Sequence, residues 1–327
     1  MKPAKKKAIR FAVACVAAGL LIGFIALAAL DFNFFEMGTM APVTNEYALA
    51  EAFTNIEVYG GSSDVRLLPS EDGACTVLCH ETDRVTHTVT VEKGTLTIRR
   101  NDNRKWFEHI GFTWSYWGPM EVVISLPERA YEELYIRTPT GDVEVPGDFS
   151  FTRAEVDGSS GNIRFEAEVS GDLSVKSVSG NIRVSGVSPA NLTARSTSGD
   201  IAVEAARVRG TFSCHTVSGS QKISDVTCRS ASVYATSGDV LAADLLASED
   251  IRMENISGRL ELIRCDADTL WLKNVSGDVI GSLRTAKTFA ANTTSGRIRV
   301  PADDAAGGGT CEVKTVSGDI ALDVLEQ

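Results

Sequence analysis

Six aspartates occupy one recurring place in the chain. Asp142, Asp172, Asp200, Asp239, Asp278 and Asp319 each follow the glycine of a Ser-Gly-Asp or Thr-Gly-Asp turn. Carboxylates repeated at a fixed interval make a ladder of hard oxygen donors, which is the chemistry of Ca²⁺ binding. The competing reading is structural, because Asp and Asn hydrogen-bond readily to the backbone of a turn. Arg259 and Arg297 take the same position in other copies, and the Gly-Gly-x-Gly-x-Asp nonapeptide of calcium-binding rolls is absent. The turn reading is therefore preferred, and no metal or other cofactor is expected.

Seven cysteines and four histidines offer softer ligands. On an extended segment Cys75 and Cys79 would stand about 13 Å apart, too far for a disulfide. Cys75-x-x-x-Cys79-His80 has half of a zinc spacing, but no second ligand pair follows it. Cys214, Cys228, Cys265 and Cys311 read as small apolar residues facing inward, and Cys15 lies within an apolar run. His80, His87, His109 and His215 are dispersed. The chain has no Gly-x-Ser-x-Gly elbow and no phosphate-binding glycine loop. No interval concentrates the Asp, Arg or Lys that glycan cleavage would need, so no catalytic residue is expected. Asn191, Asn255, Asn274 and Asn292 begin glycosylation-type triplets, most of which the repeat described below explains. One aromatic segment stands apart: Trp106, Phe107, Trp114, Tyr116 and Trp117, with Phe112 among them. It would either dock on glycan, partner or membrane interface, or plug one end of the core.

The elements that position these groups follow from an internal repeat. Its marker glycines are Gly141, Gly161, Gly180, Gly199, Gly219, Gly238, Gly258, Gly277, Gly296 and Gly318, spaced 19 to 22 residues apart. Five and seven residues before a marker stand apolar pairs such as Met253 and Ile251, or Leu272 and Leu270. Two and four after it stand Ile201 and Val203, or Ile298 and Val300. A period of two on both sides of a turn is the pattern of short strands with one buried face. Leu192, Val226, Leu246 and Cys265 suggest a third short strand. Helical repeats are excluded because no amphipathic helix fits between copies, and propeller blades need about 40 residues. The fold expected is all-β: a parallel β-helix, or solenoid, of 19–20-residue coils stacked at about 4.8 Å. Gln221 falls where an apolar residue belongs, so a bulge is expected there. The last strand, residues 320–325, is expected to leave an edge open to self-association.

Lys2, Lys5, Lys6, Lys7 and Arg10 precede residues 11–30, which carry no charge. Twenty residues of helix span about 30 Å, the thickness of a bilayer core. The basic flank places the N-terminus in the cytoplasm and the body outside. A cleaved signal peptide is the alternative, although its apolar core would be shorter, about 7–15 residues. The expected organisation is a basic tail (1–10), a transmembrane anchor (11–30), a linker (31–46), an irregular β region or cap (47–137) and regular repeats (138–327). Net charge is −11, and residues 1–30 hold only basic groups, so the remainder carries −16. Such an acidic body disfavours nucleic acid and anionic lipid as partners.

With its recurring (Ser/Thr)-Gly-(Asp/Asn)-(Ile/Val), Leu67-Leu68-Pro69 and Leu126-Pro127, the chain resembles a bacterial putative-adhesin family of β-strand repeats, a domain of unknown function. The resemblance covers roughly residues 50–325. It implies a cell-envelope surface protein, often held by one membrane span and sometimes linked to envelope stress, and it supplies no catalytic residues. The expected function is thus non-enzymatic adhesion, binding or scaffolding, with cell-wall glycan or an envelope protein as partner. The alternatives are an envelope-stress sensor acting through a membrane partner and, third, a glycan-modifying enzyme.

Overall fold

The computed structural model describes residues 42–82, 84–103, 120–302 and 308–325, with positions 15, 16, 18–21 and 24. Most of the expected membrane span lies outside the described residues. Among the described residues no helix is long and apolar enough to cross a membrane. The chain separates into two compact units. One comprises residues 1–43, 82–85 and 102–118; the other, residues 44–81, 86–101 and 119–327, is a β-solenoid.

Each coil of the solenoid is built round its Ser-Gly turn. Strand Asn191–Ser196 leads into the turn at Gly199, and Ile201–Arg207 leads out. The next coil repeats this in parallel register, Leu192 beside Phe212, Ala194 beside Cys214 and Val203 beside Ile223. Alternation sends every second side chain to the axis. Ile251, Met253, Phe212, Cys214, Leu270, Leu272, Cys311 and Val313 are all buried. Like therefore stacks on like in a dry interior, and β-branched residues suit that pleated, one-sided burial.

The marker glycines answer to space more than to backbone angle. A Cβ on Gly161, Gly180 or Gly199 would collide with the carbonyl oxygen of the preceding marker glycine. Positive φ is confined to Gly238, Gly258, Gly277 and Gly318. What all the markers share is the close approach of one turn to the next.

A second corner explains the third strand. Gly186, Ala205, Asp225, Asp244 and Arg264 form a column of left-handed residues with φ of 70°, 52°, 52°, 54° and 54°. Each redirects the chain so that Val187, Ala206, Val226, Leu245 and Cys265 respectively face inward behind it. The structure corrects two expected members of that strand. Leu192 belongs to the strand before the turn, and Leu246 is only partly buried because the corner brings Leu245 inward instead.

Two further expectations are overturned. No bulge forms at Gln221, which pairs in register with Ile201 and Val240. Its side chain is buried, and Nε2 donates to Thr216 Oγ1 at 2.8 Å and to Tyr234 O at 2.6 Å. Nor is residues 320–325 the outermost strand. Strand Ile320–Val324 lies between Val279–Leu283 and Ile298–Arg299. Likewise Thr310–Ser317 lies between Thr269–Ser276 and Thr288–Ser295. The last coil in sequence is thus inserted beneath the one before it, and the exposed edge passes to residues 288–299, where Ile298 is 46% exposed.

The other end mirrors this. Strand Asn55–Tyr59 lies between Thr95–Asp102 and Ala130–Thr138. Asp64–Pro69 lies between Glu121–Leu126 and Val143–Val145. Cys75–Thr82 then pairs antiparallel with Glu121–Leu126, an interruption of the otherwise parallel ladders.

Candidate functional site

The aspartate ridge exists, and its chemistry is structural. Asp142 Oδ1 accepts the Asn162 N–H at 2.7 Å, and Asn162 Oδ1 accepts that of Asn181 at 3.2 Å. Asn181 takes Asp200 at 2.9 Å, and Asp200 takes Ser220 at 2.8 Å. Asp239 holds Arg259, and Asp278 holds Asp319, both at 2.8 Å. Each side chain thus staples its own turn to the backbone of the next coil, which is why Asn serves as well as Asp. Asp172 acts similarly at another corner, accepting from Asn191 Nδ2 at 2.8 Å. Asp319 also meets the Arg297 guanidinium at 2.7 Å, and the backbone N–H and guanidinium of Arg297 hold its carboxyl below the ordinary range.

Beneath the turns runs a polar column that the sequence reading missed. Three residues before a marker glycine stand Thr138, Ser177, Ser196, Thr216, Asn255, Asn274 and Thr315, all buried. Ser177 and Ser196 accept the N–H of Gly180 and Gly199 at 2.9 Å. Asn255 and Asn274 donate to the carbonyls of Gly238 and Gly258 at 3.0 and 2.8 Å. Ser, Thr or Asn three residues ahead of every marker glycine except Gly161 and Gly238 was the available signal. It also removes Asn255 and Asn274 as accessible acceptors.

Trp106, Phe107, Trp114, Tyr116 and Trp117 lie outside the described residues. Other aromatic groups stand on an outward face of the solenoid, in two register-matched rows. One row runs Glu57, Tyr135, Glu155, Ser174, Thr193, Ser213, Ser232, Arg252, Trp271. The adjacent row contains Tyr59, Lys176, Arg195, His215, Tyr234 and Lys273. Tyr59 and Tyr135 meet at 5.7 Å between centroids, and His215 stacks on Tyr234 at 4.8 Å. The Arg252 guanidinium covers Trp271 at 4.1 Å. Partial burial and then the Arg195 charge lower the His215 pKa, so the stacked ring is neutral at pH 7. At about 4.8 Å per coil, Tyr135 and Tyr234 stand roughly 24 Å apart and Trp271 roughly 10 Å further on.

The titratable groups that come together most closely are buried. On Cys75–Thr82, alternation turns Cys75, Val77, Cys79 and Glu81 inward and leaves His80 on the opposite face. The chain returns through Val85–Glu92 and brings His87 against them. Glu81 Oε1 accepts from both the backbone N–H and Nδ1 of His87, the latter at 3.0 Å, while Oε2 accepts from Asn45 Nδ2 at 2.5 Å. Ligand atoms of Cys79, Glu81 and His87 all lie within 4.8 Å of one another. Burial lowers the His87 pKa although Glu81 pulls the other way, so the ring is neutral and Nδ1–H donates. Its Nε2 is sealed from water without a partner. Burial pushes the Cys79 thiol up to about 12. The Cys75-x-x-x-Cys79-His80 spacing, which lacked a second ligand pair in the sequence, does not form a cluster; Cys79 instead lies with Glu81 and His87, because alternation sends Glu81 inward and His80 outward and the return strand brings His87 alongside. Cys75, Cys214, Cys228, Cys265 and Cys311 are buried free thiols.

Among solved structures, a putative lipid binding protein from Parabacteroides distasonis is similar at 17% identity and TM-score 0.49, covering 87% of this chain and 97% of that one. A putative adhesin from Bacteroides fragilis is similar at 14% identity and TM-score 0.43, with coverage of 87% and 97%. Another from Parabacteroides merdae gives 13% and 0.43, with coverage of 88% and 98%. No curated protein matches the chain. A family model described as Toastrack DUF4097 matches residues 53–211 and again 189–327, in line with the repeat that carried the resemblance. This β-solenoid chain therefore belongs to the Toastrack DUF4097 family.

Proposed function

We propose that the protein is a non-enzymatic envelope surface protein that uses its solenoid to bind an extended partner along one lateral face. The observation that carries this reading is the pair of outward rows. Three aromatic stations, Tyr59 with Tyr135, His215 with Tyr234, and Trp271, flank a run of hydroxyls at Ser174, Thr193, Ser213 and Ser232. Rings at fixed spacing stack on sugar faces, and hydroxyls exchange hydrogen bonds with a hydrated polymer. Each contact is weak, but several on one stiff support act together through effective concentration. Cell-wall glycan is the polymer that fits this chemistry. Residues 11–30 would hold the protein to the membrane with residues 1–10 in the cytoplasm. In support stands the sequence alone, an uncharged run behind Lys2, Lys5, Lys6, Lys7 and Arg10.

Co-sedimentation of the full chain with purified cell-wall polymer tests the proposal. Replacing Tyr135, Tyr234 and Trp271 together by Ala should cut retention by about tenfold or more, at about 0.5–1.5 kcal/mol per ring. Equal retention of the folded triple variant would refute it.

A further inference from the structure

The buried cluster at the Cys75–Thr82 hairpin matches no part of the binding face and serves no repeat. Inward positions of the repeats are mostly apolar, and polar ones such as Ser196, Asn255 and Gln221 bond to a turn, to the polar column beneath it or to a neighbouring strand. Here a thiol, a carboxylate and an imidazole converge in a sealed place. With bonds of about 2.0–2.3 Å, the donors of a tetrahedral zinc site stand about 3.3–3.8 Å apart. The Cys79, Glu81 and His87 donors lie within 4.8 Å of one another, so closing on a cation needs only small side-chain adjustments. The hydrogen bond from His87 Nδ1 to Glu81 already holds two of them at 3.0 Å.

From this geometry we infer that Cys79, Glu81 and His87 bind one zinc-class divalent cation. The donor set selects the metal. A thiolate with an imidazole is wrong for Ca²⁺ or Mg²⁺, which take oxygen, and right for Zn²⁺. The His87 and Glu81 side chains are also sealed from solvent, at 0% and 2% exposed, so bulk water does not compete for the site. Asn45 supports the site from outside the donor set. Its Nδ2 donates to Glu81 Oε2 at 2.5 Å and orients the carboxylate, as outer-shell partners of metal ligands do. Tyr47 donates to His87 O at 3.3 Å and steadies the return strand. Binding replaces the thiol proton of Cys79 by the metal and releases that proton to solvent, while the Nδ1 proton of His87 passes to Nε2 so that the neutral ring can ligate through Nδ1. The cation would tie residues 79 and 81 to residue 87 across the hairpin.

The test uses the full chain, purified reduced and stripped of metal, then titrated with Co²⁺ and afterwards Zn²⁺. One equivalent of Co²⁺ should give a thiolate-to-cobalt charge-transfer band that Zn²⁺ abolishes. The band should vanish in Cys79→Ser and in His87→Ala. In Asn45→Ala it should persist, with affinity lowered by about 10- to 100-fold. Circular dichroism of each variant separates loss of ligand from loss of fold. Should Cys79→Ser or His87→Ala not fold, the Zn²⁺-dependent rise in wild-type melting temperature, present in Cys75→Ser and diminished in Asn45→Ala, decides the matter. A folded wild-type chain without the band, or a band that survives in Cys79→Ser, would overturn the inference and leave the cluster a hydrogen-bonded network only. Glycan retention is a separate readout, so either idea can fail alone.

Discussion

At the scale of single residues, two glycine substitutions should act in opposite directions. Gly199→Ala places a methyl against the Gly180 carbonyl and the Asn181 backbone nitrogen, with no flexible side-chain atom to yield. A loss of about 3 kcal/mol or more is expected in denaturant unfolding. Ala205→Gly acts at a left-handed position, φ 52°, where an L-residue is strained by about 1–2 kcal/mol. Set against the entropy of a new glycine, a net gain of roughly 0.5–1 kcal/mol should appear in the same assay. The staple residues lie between these extremes. Asp200→Ala leaves the Ser220 N–H without its acceptor and should lose about 1 kcal/mol. The marker glycines and turn aspartates were legible in the sequence, because spacing alone exposes a residue type that recurs. Their reasons were not. Gly199 and Gly238 look alike in the chain, yet only Gly238 has positive φ, and the carbonyl that forbids a side chain at both belongs to a residue about 19 positions away.

At the scale of strands and corners, the left-handed column carries a charge cluster with a defined acid response. Asp244 meets Arg284 at 2.8 Å and also pairs with Arg264. Hydrogen bonds from Arg264, then Arg284, hold its carboxyl down at about 2. An unfolded Asp titrates near about 3.9. The folded value is the lower one, so the stabilisation is complete above about pH 4 and is lost as pH falls towards 2. Melting temperature followed between those limits should fall less steeply in Asp244→Asn than in the unmodified chain. Alternation read from sequence located both strands of each coil. It failed at Leu246 because one left-handed residue shifts the inward phase, and no side-chain type marks that event: Ala205, Asp225 and Arg264 share it. It also failed at Gln221, where a polar residue keeps an inward place by bonding to Thr216 and Tyr234. The Cys79, Glu81 and His87 cluster was half visible. The rule that sent Cys75 and Cys79 inward also sends Glu81 there, but His87 joins them only through the hairpin.

At the scale of the whole solenoid, the order of coils follows the sequence through the middle and departs from it at both ends. Nothing in the period of the repeat announces this. The interval between Gly296 and Gly318 is 22 residues instead of 19 or 20, and that small excess accompanies the step back beneath the previous coil. The consequence is mechanical. A tethered molecule that grips a polymer carries load, and traction on a strand at the very end of a ladder would unzip it one bond at a time. Here Thr310–Ser317 and Asn55–Tyr59 are each gripped from two sides, so tension reaching either must shear paired ladders together. In single-molecule pulling from the C-terminus, removing residues 288–309 should lower the rupture force, because Thr310–Ser317 and Ile320–Val324 each lose one of their two flanking ladders.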